Sequence, residues 1–306
     1  EIPAVTLDLQ CGSSLESIAT AAAKIESGLA DLVIAGGFES SSTQPFRMWN
    51  PNHPDYQEGK CYTVAKFIPD LQGEQEMLEG AEKTALTENV TKAEMDPWVL
   101  LSHKRAAQAV KEGILSDIQL SIEGSRKDEG IRPSMSQRLL DRLPYILPGG
   151  KVITAANACL MHDGAAFVVL CSEKYRKVHK LSPQAAFRFG TSIGSDPFMS
   201  PKTAVLAIRK LFKQTGLSID EIDSLEVNEA FAVIDVLLER EFPGIRDRLN
   251  PLGGALAYGH PYGASGAIIL LHLLKNLQVN KGRFGICGVA AAGGIGTSLL
   301  VERVKA

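Results

Sequence analysis

Asp8-Leu9-Gln10-Cys11-Gly12-Ser13-Ser14 reads as the end of a strand running into a helix, with Cys11 at the join. Residues 4–10 predict a short buried strand. Residues 12–28 predict a helix: Leu15, Ile18, Ala19, Ala22 and Ile25 recur at spacings of three and four, and Gly28 stops it. Leu32 to Gly36 predicts a buried strand beyond it. A thiol at a helix N-terminus faces unpaired N–H groups and the positive end of the helix dipole, which favours thiolate over thiol. The thiolate is the form that attacks a carbonyl or thioester carbon.

Outward from this junction the pattern repeats. From about Pro183 the chain reads as strand 185–193, helix 201–215 ended by Gly216, strand 222–227, helix 229–242, helix 263–277 and strands 284–290 and 296–303. Alternation of this kind predicts an α/β fold. Cys11 and Asn228, in Val227-Asn228-Glu229-Ala230-Phe231-Ala232, sit at corresponding junctions. An internally duplicated fold would bring both to one face, at the carboxyl ends of strands. Gly259-His260-Pro261-Tyr262-Gly263 holds a histidine in a tight turn before an apolar helix, a natural base for Cys11. Residues 38–150 carry both tryptophans and much of the proline and charge, and read as an inserted loop domain with helices of its own. The clearest helix is 93–112, with Asp96-Pro97 as a plausible N-cap and N1 pair. Residues 152–156 return toward the core, and Ala165 to Cys171 is another apolar strand.

The 306 residues suffice for a full apolar core, and a net charge of −3 gives no basic field for nucleic acid and no polybasic run for a membrane surface. The densest positive stretch, Arg126, Lys127, Arg132 and Arg138, with Arg142 beyond it, reads as a solvated loop and helix face. Five cysteines without a Cys-x-x-Cys pair suggest neither a disulfide framework nor a zinc site; they fit a reducing, cytoplasmic compartment and a free nucleophilic thiol. The longest apolar stretch, Ala264 to Leu274, is too short to span a bilayer.

The Cys11, Asn228 and His260 stretches, in that order, resemble the thiolase family, as do two further segments. Gly28 to Ser40 is similar to the strand after the family's nucleophile helix. Ile153-Thr154-Ala155-Ala156-Asn157-Ala158, followed by Asp163-Gly164-Ala165-Ala166, is similar to its coenzyme A-binding segment. The resemblance covers nearly the whole chain. It implies duplicated βαβαβ halves forming a layered α/β/α/β/α core, with residues 1–37 and 151–180 in the N-terminal half, 38–150 as the inserted loop domain and 181–306 as the C-terminal half. It implies an acyl-CoA acyltransferase, with coenzyme A as substrate and no prosthetic group or metal. Cys11 would take the acyl group, His260 would activate it, and Asn228 would hold a water aimed at the thioester oxygen. Glu229 would support the histidine or the turn. Arg132 is similar to a position contacting the nucleotide end of coenzyme A; Ala155, Cys159 and Ala230 would also contact the coenzyme, and Phe231 would line the pantetheine channel or fill the core. Family members are dimers or tetramers, so a homodimer or homotetramer is expected.

The chain departs from the family twice. Near the C-terminus, two-cysteine thiolases carry Cys-x-Gly-Gly-Gly-x-Gly, whose cysteine is the acid/base. Aligned on Gly293-Gly294-Ile295-Gly296, that cysteine falls on Ala290. Cys287 takes the place only through a three-residue insertion, and otherwise lies on the opposite face of its strand. Ala292 would replace the glycine whose N–H completes the second oxyanion hole. In the coenzyme segment Cys159 replaces a serine that holds the pantetheine arm, Leu160 a glycine, and His162 an asparagine; His162 would be a substitute acid/base or a structural replacement. The family's opening strands and first helices precede the nucleophile, and their lack here predicts an incomplete chain. Rival readings are a diverged homologue acting as thioesterase or acyltransferase, and a non-catalytic acyl-CoA-binding protein. A ketosynthase fits less well, because that branch carries a Cys-His-His set.

Overall fold

A computed structural model describes residues 2–62, 76–122, 124–125 and 127–304. Part of the expected inserted domain and Arg126 lie outside the described residues. In chain order the elements are α1 (Ser13–Glu26), β1 (Leu32–Glu39), α2 (Met77–Thr87), α3 (Lys92–Lys111), α4 (Gln137–Leu140), β2 (Gly164–Cys171) and α5 (Glu173–Val178). They continue with β3 (Ala185–Gly194), α6 (Thr203–Thr215), β4 (Ser224–Val227), α7 (Ala232–Glu241), α8 (Ala255–Tyr258), α9 (Ser265–Val279), β5 (Phe284–Ala291) and β6 (Ile295–Arg303).

Two sheets carry the fold. The strands run β3-β6-β5-β4 in one; β4 and β5 are parallel, and the other pairs antiparallel. In the second, β1 pairs with β2 antiparallel, Leu32 opposite Cys171 and Glu39 opposite Gly164. Between them α1 packs on β1 and α9, while α9 packs on β4 and β5. Gly266 lets the two helices meet at their N-termini: a Cβ there would stand 2.5 Å from the Leu15 nitrogen. The Ser14 hydroxyl accepts the Ala267 N–H at 3.0 Å. Two large apolar clusters result, with a small third around Ala109, Leu115 and Leu252. One fills the space around α7, β4 and α3, with Ile208, Leu225, Ile234 and Ile286; the other lies around α1 and α9, with Leu15, Ile18, Leu273 and Cys287.

Four local expectations are corrected. Residues 4–10 form no strand; the segment is largely exposed, with Val5 at 74%, and a bridge joins Leu9 to Cys11. β1 exists but is only half-buried, because no layer of the described residues covers one of its faces. Pro97 lies inside α3 rather than opening it: Thr91 caps the helix, accepting from the Glu94 N–H while the Glu94 carboxylate accepts from the Thr91 N–H. α7 starts at Ala232, so Asn228 is not its cap and its side chain is free for other partners.

Candidate active site

Cys11 sits on a strained turn. Gln10 before it has φ of 52°, a left-handed conformation costing a non-glycine residue about 1–2 kcal/mol. Ser13 holds the turn closed: its hydroxyl accepts the Leu9 N–H at 2.8 Å and donates to the Gln10 carbonyl at 2.6 Å. The Cys11 sulfur therefore points away from the exposed segment, into a buried position beside its own N–H and that of Ala292. Those N–H groups favour the thiolate, but burial outweighs them and pushes the thiol up to about 12, with Glu39 and Asp8 adding to the rise. The expected net preference for thiolate at this helix start is thus reversed in the resting site. Deprotonation needs a base in contact or a substrate whose developing charge is met by the same N–H groups.

His260 is buried between two side chains. Its Nδ1 lies 2.6 Å from Ser265 Oγ, and its Nε2 lies 3.2 Å from Asn228 Nδ2. Ser265 Oγ is also 2.9 Å from the Pro261 carbonyl, to which its hydrogen must go. Nδ1 therefore carries the imidazole hydrogen and Nε2 is the unprotonated face, an assignment made from the network. Burial holds His260 far below its ordinary pKa, at about 3, so the ring is neutral. Asn228 Oδ1 is buried and accepts no hydrogen bond from the described residues.

Residues that sequence patterns leave unmarked build the turn. Among the described residues no hydrogen bond joins Glu229 to His260; Glu229 accepts from Ser102 Oγ at 2.6 Å, Asn250 Nδ2 at 2.9 Å and the Leu256 N–H at 3.4 Å. It thereby ties α3 to α8, which leads into Gly259 and His260. Asn250 extends the strand edge with its side chain, accepting the Val227 N–H at 2.8 Å and donating to the Val227 carbonyl at 2.9 Å. Gly263 backs onto β1: its N–H meets Glu39 Oε2 at 3.0 Å, and a Cβ on Gly37 would lie 1.8 Å from the Gly263 carbonyl oxygen.

The coenzyme-like segment runs between the Asn228 and His260 elements. The Cys159 N–H donates to the Ala230 carbonyl at 2.9 Å, Ala158 bridges to Phe231, and the His260 N–H donates to the Leu160 carbonyl at 2.8 Å. Cys159 is half-buried, Ala155 exposed and Ala230 buried; Phe231 is buried in the core, the second of its two expected roles. His162 packs so closely on Gly259 that a Cβ there would lie 1.5 Å from its Nδ1. Cys287 is fully buried on the α1–α9 side of β5, beside Glu226, whereas Ala290 belongs to the cluster on the opposite side. Ala292 lies at the Cys11 sulfur, where the ungapped alignment would put the glycine of the second oxyanion hole. Arg132 is exposed and lines a cleft of ≈ 630 Å³ between α3 and residues 132–136. Lys104 and Lys111 share it, over a floor that includes Leu100, Ala107 and Met135. None of the three cations pairs with a carboxylate among the described residues.

Comparison with known proteins fits this geometry. The family model "Thiolase, N-terminal domain" matches residues 1–174 and "Thiolase, C-terminal domain" matches 181–303. The chain belongs to the thiolase family. The steroid 3-ketoacyl-CoA thiolase FadA6 of Mycobacterium tuberculosis is 34% identical, over 99% of this chain and 76% of that protein. A beta-ketoadipyl-CoA thiolase of Escherichia coli is 32% identical, over 99% and 80%. The crystal structure of human mitochondrial 3-ketoacyl-CoA thiolase in complex with CoA superposes with a TM-score of 0.91 at 30% identity, covering 99% of this chain and 78% of that one. The acetyl-CoA acetyltransferase of Bacillus anthracis gives 0.88 at 30% identity, over 98% and 78%. The thiolase α/β fold is therefore that of this chain. Among the described residues no helix is long and apolar enough to cross a membrane.

Proposed function

We propose that this thiolase-family chain is an acyl-CoA C-acyltransferase that works through an acyl-Cys11 intermediate, in reversible condensation or thiolysis of a 3-ketoacyl-CoA. The observation that carries the reading is the chain Asn228–His260–Ser265, which holds a neutral imidazole with Nε2 accepting from Asn228, linked to the buried Cys11 thiol through Tyr262, whose ring lies edge-on to His260 and in the field of that thiol. His260 accepts the Cys11 proton, and the sulfur attacks the thioester carbon. The N–H groups of Cys11 and Ala292 meet the negative oxygen of the acyl adduct. Asn228, with its free Oδ1, positions a water toward the other oxyanion. Lys104, Lys111 and Arg132 take the phosphates of coenzyme A, with the pantetheine arm passing Cys159 toward Cys11.

A second reading rests on Ala290. Without a thiol there, Cys11 could acylate while proton removal at the α-carbon fails, leaving a thioesterase or an acyltransferase to another acceptor. An acyl-CoA-binding protein without catalysis would keep the cleft and lose the use of Cys11. Incubation with acetyl-CoA and acetoacetyl-CoA, read by mass spectrometry on Cys11 alongside a thiolysis assay, separates these readings. An adduct with turnover supports the leading one. An adduct without turnover supports the diverged acyltransferase, and binding without an adduct refutes both catalytic readings.

The exposed face of the smaller sheet supports a homo-oligomer, a dimer or tetramer. Ile34 and Phe38 on β1 and Phe167 and Val169 on β2 project from one face at 51–73% exposure, an apolar patch that a second copy would cover. All five cysteines are free thiols, which fits a reducing, cytoplasmic setting.

A further inference from the structure

Claisen chemistry needs a base at the α-carbon, and the strand position that supplies it in two-cysteine thiolases is Ala290 here. Four other groups have the chemistry to replace it, and the fold sets them in different places. Cys287 lies under β5 among Leu15, Ala267 and Leu299, with Glu226 as its charged neighbour. His162 lies against Gly259 and Gly130 at the outer side of the turn, in the field of Asp128 and Asp163. Tyr262 stacks edge-on against His260, with ring centroids 4.8 Å apart. Cys159 is held by backbone bonds from both catalytic elements: Ala230, two residues after Asn228, fixes its N–H, and its neighbour Leu160 fixes the N–H of His260. Its electrostatic neighbour is Cys11, and Tyr262 feels both sulfurs. Cys159 is half-buried as a residue, while its thiol lies deep, beside Cys11.

We infer that Cys159 is the second thiol of this site, the group that moves the proton at the α-carbon of the acyl-CoA. This rests on the acyltransferase reading above. In acylation, Cys11 gives its proton to His260 and takes the acyl group. The departing coenzyme A thiolate takes the Cys159 proton and leaves as the free thiol. The Cys159 thiolate then removes a proton from the α-carbon of the second acyl-CoA. The enolate carbon attacks the acyl carbon on Cys11, a C–C bond forms and the C–S bond breaks, and His260 returns its proton to the Cys11 thiolate. Cys159 ends as a thiol, ready for another cycle. Burial holds the Cys159 thiol well above its ordinary pKa, so its thiolate, once formed, is a strong base.

The test follows two reactions of the full chain. One is acetylation of Cys11 by acetyl-CoA. The other is exchange of the acetyl-CoA methyl hydrogens for deuterium in heavy water, which reports α-carbon proton removal without requiring condensation. Cys159→Ala should retain the Cys11 adduct and lose exchange by about 10²-fold or more. Cys159→Ser, which keeps size and fold, should lose exchange similarly, since a hydroxyl is a far weaker acid. Cys287→Ala and Tyr262→Phe should exchange as the parent does. Exchange that survives in Cys159→Ala and Cys159→Ser, or that fails in Tyr262→Phe or Cys287→Ala instead, overturns the assignment. So does a parent protein that acetylates Cys11 yet shows no exchange. Absence of the adduct in the parent protein sinks the acyltransferase reading itself, and is a separate result.

Discussion

β5 and β1 are both eight-residue runs of small and branched apolar residues, yet β5 is buried along nearly its whole length and β1 on one face only. β5 has β4 and β6 on its two edges, α9 over one face and α6 over the other. β1 has β2 on one edge, and α1 and α9 over one face. Apolar character specifies a strand; the number of layers around it decides its burial. The candidate site straddles the two settings. Asn228 and His260 hang from the well-packed C-terminal sheet, while Cys11 rides on α1, the helix that joins that sheet to the half-covered one.

The largest effects test that division of labour. Cys11→Ala should abolish the acetyl adduct and lower thiolysis by about 10⁴-fold or more, whereas Cys287→Ala, in the sealed core, should leave the chemistry near the parent level. Comparable loss in both variants would mean that Cys287 reaches the substrate, and would undo the two-sided placement of β5. His260→Ala should cost about 10²–10⁴-fold in kcat. Ser265→Ala removes only the partner of Nδ1 and should cost about 10-fold, the worth of one orienting hydrogen bond. Equal losses at the two positions would show that the serine takes part in the chemistry rather than setting the tautomer.

Stability tests the comparison directly. Ile286→Ala on β5 removes a fully buried side chain and should cost about 2–5 kcal/mol. Ile34→Ala on β1, with Ile34 66% exposed, should change monomer stability by about 0.5 kcal/mol or less. Denaturant midpoints at two protein concentrations check both. A large, concentration-dependent loss at Ile34 would show that the β1–β2 face is covered in solution, and would turn the contrast between the strands into evidence for the oligomer.

The same contrast explains what the sequence could and could not reveal. Periodicity located α1, α6, α9 and all six strands within a few residues, because each has a strong apolar pattern and several end in a clear stop; Gly216, at φ of 74°, caps α6 as its position suggested. Pattern failed at residues 4–10, where an alternating run finds no partner strand among the described residues, since strand formation needs a second edge. Asp96-Pro97 misled because proline is tolerated in a first helical turn generally, and Thr91 with Glu94 offered a better cap five residues earlier. Cys11, Asn228 and His260 stood out through their short motifs. Ser265 lay inside the His260 motif, five residues on, but Asn250 and Ser102 did not stand out, because their contacts cross 23 and 127 residues of chain and carry no local signature. Cys159 was visible as a substitution, but its place between Ala230 and His260 exists only in three dimensions.

The smallest effect concerns what burial costs the better-packed sheet. Glu226 on β4 is fully enclosed, and neither carboxylate oxygen has a hydrogen-bond partner among the described residues. Burial pushes its carboxyl well above the ordinary range, with Glu229 adding to the rise and Arg105 opposing it. The folded protein therefore holds a proton that the unfolded chain releases near pH 4, so this group's contribution to stability is greatest in acid and declines as pH rises toward the folded pKa. His260 acts in the other direction over a lower window: its depressed pKa costs stability as pH falls from about 6.5 toward 3. Glu226→Gln keeps the shape and removes the titration. It should flatten the decline in stability on the alkaline side and raise stability at pH 8 by at most about 1 kcal/mol, since the amide still lacks full hydrogen bonding. Chemical denaturation from pH 5 to 9 reads the slope. If the parent and the variant decline in parallel, the proton is held elsewhere, with Asp235 the next group to replace, because it too is buried and neither of its oxygens has a hydrogen-bond partner among the described residues.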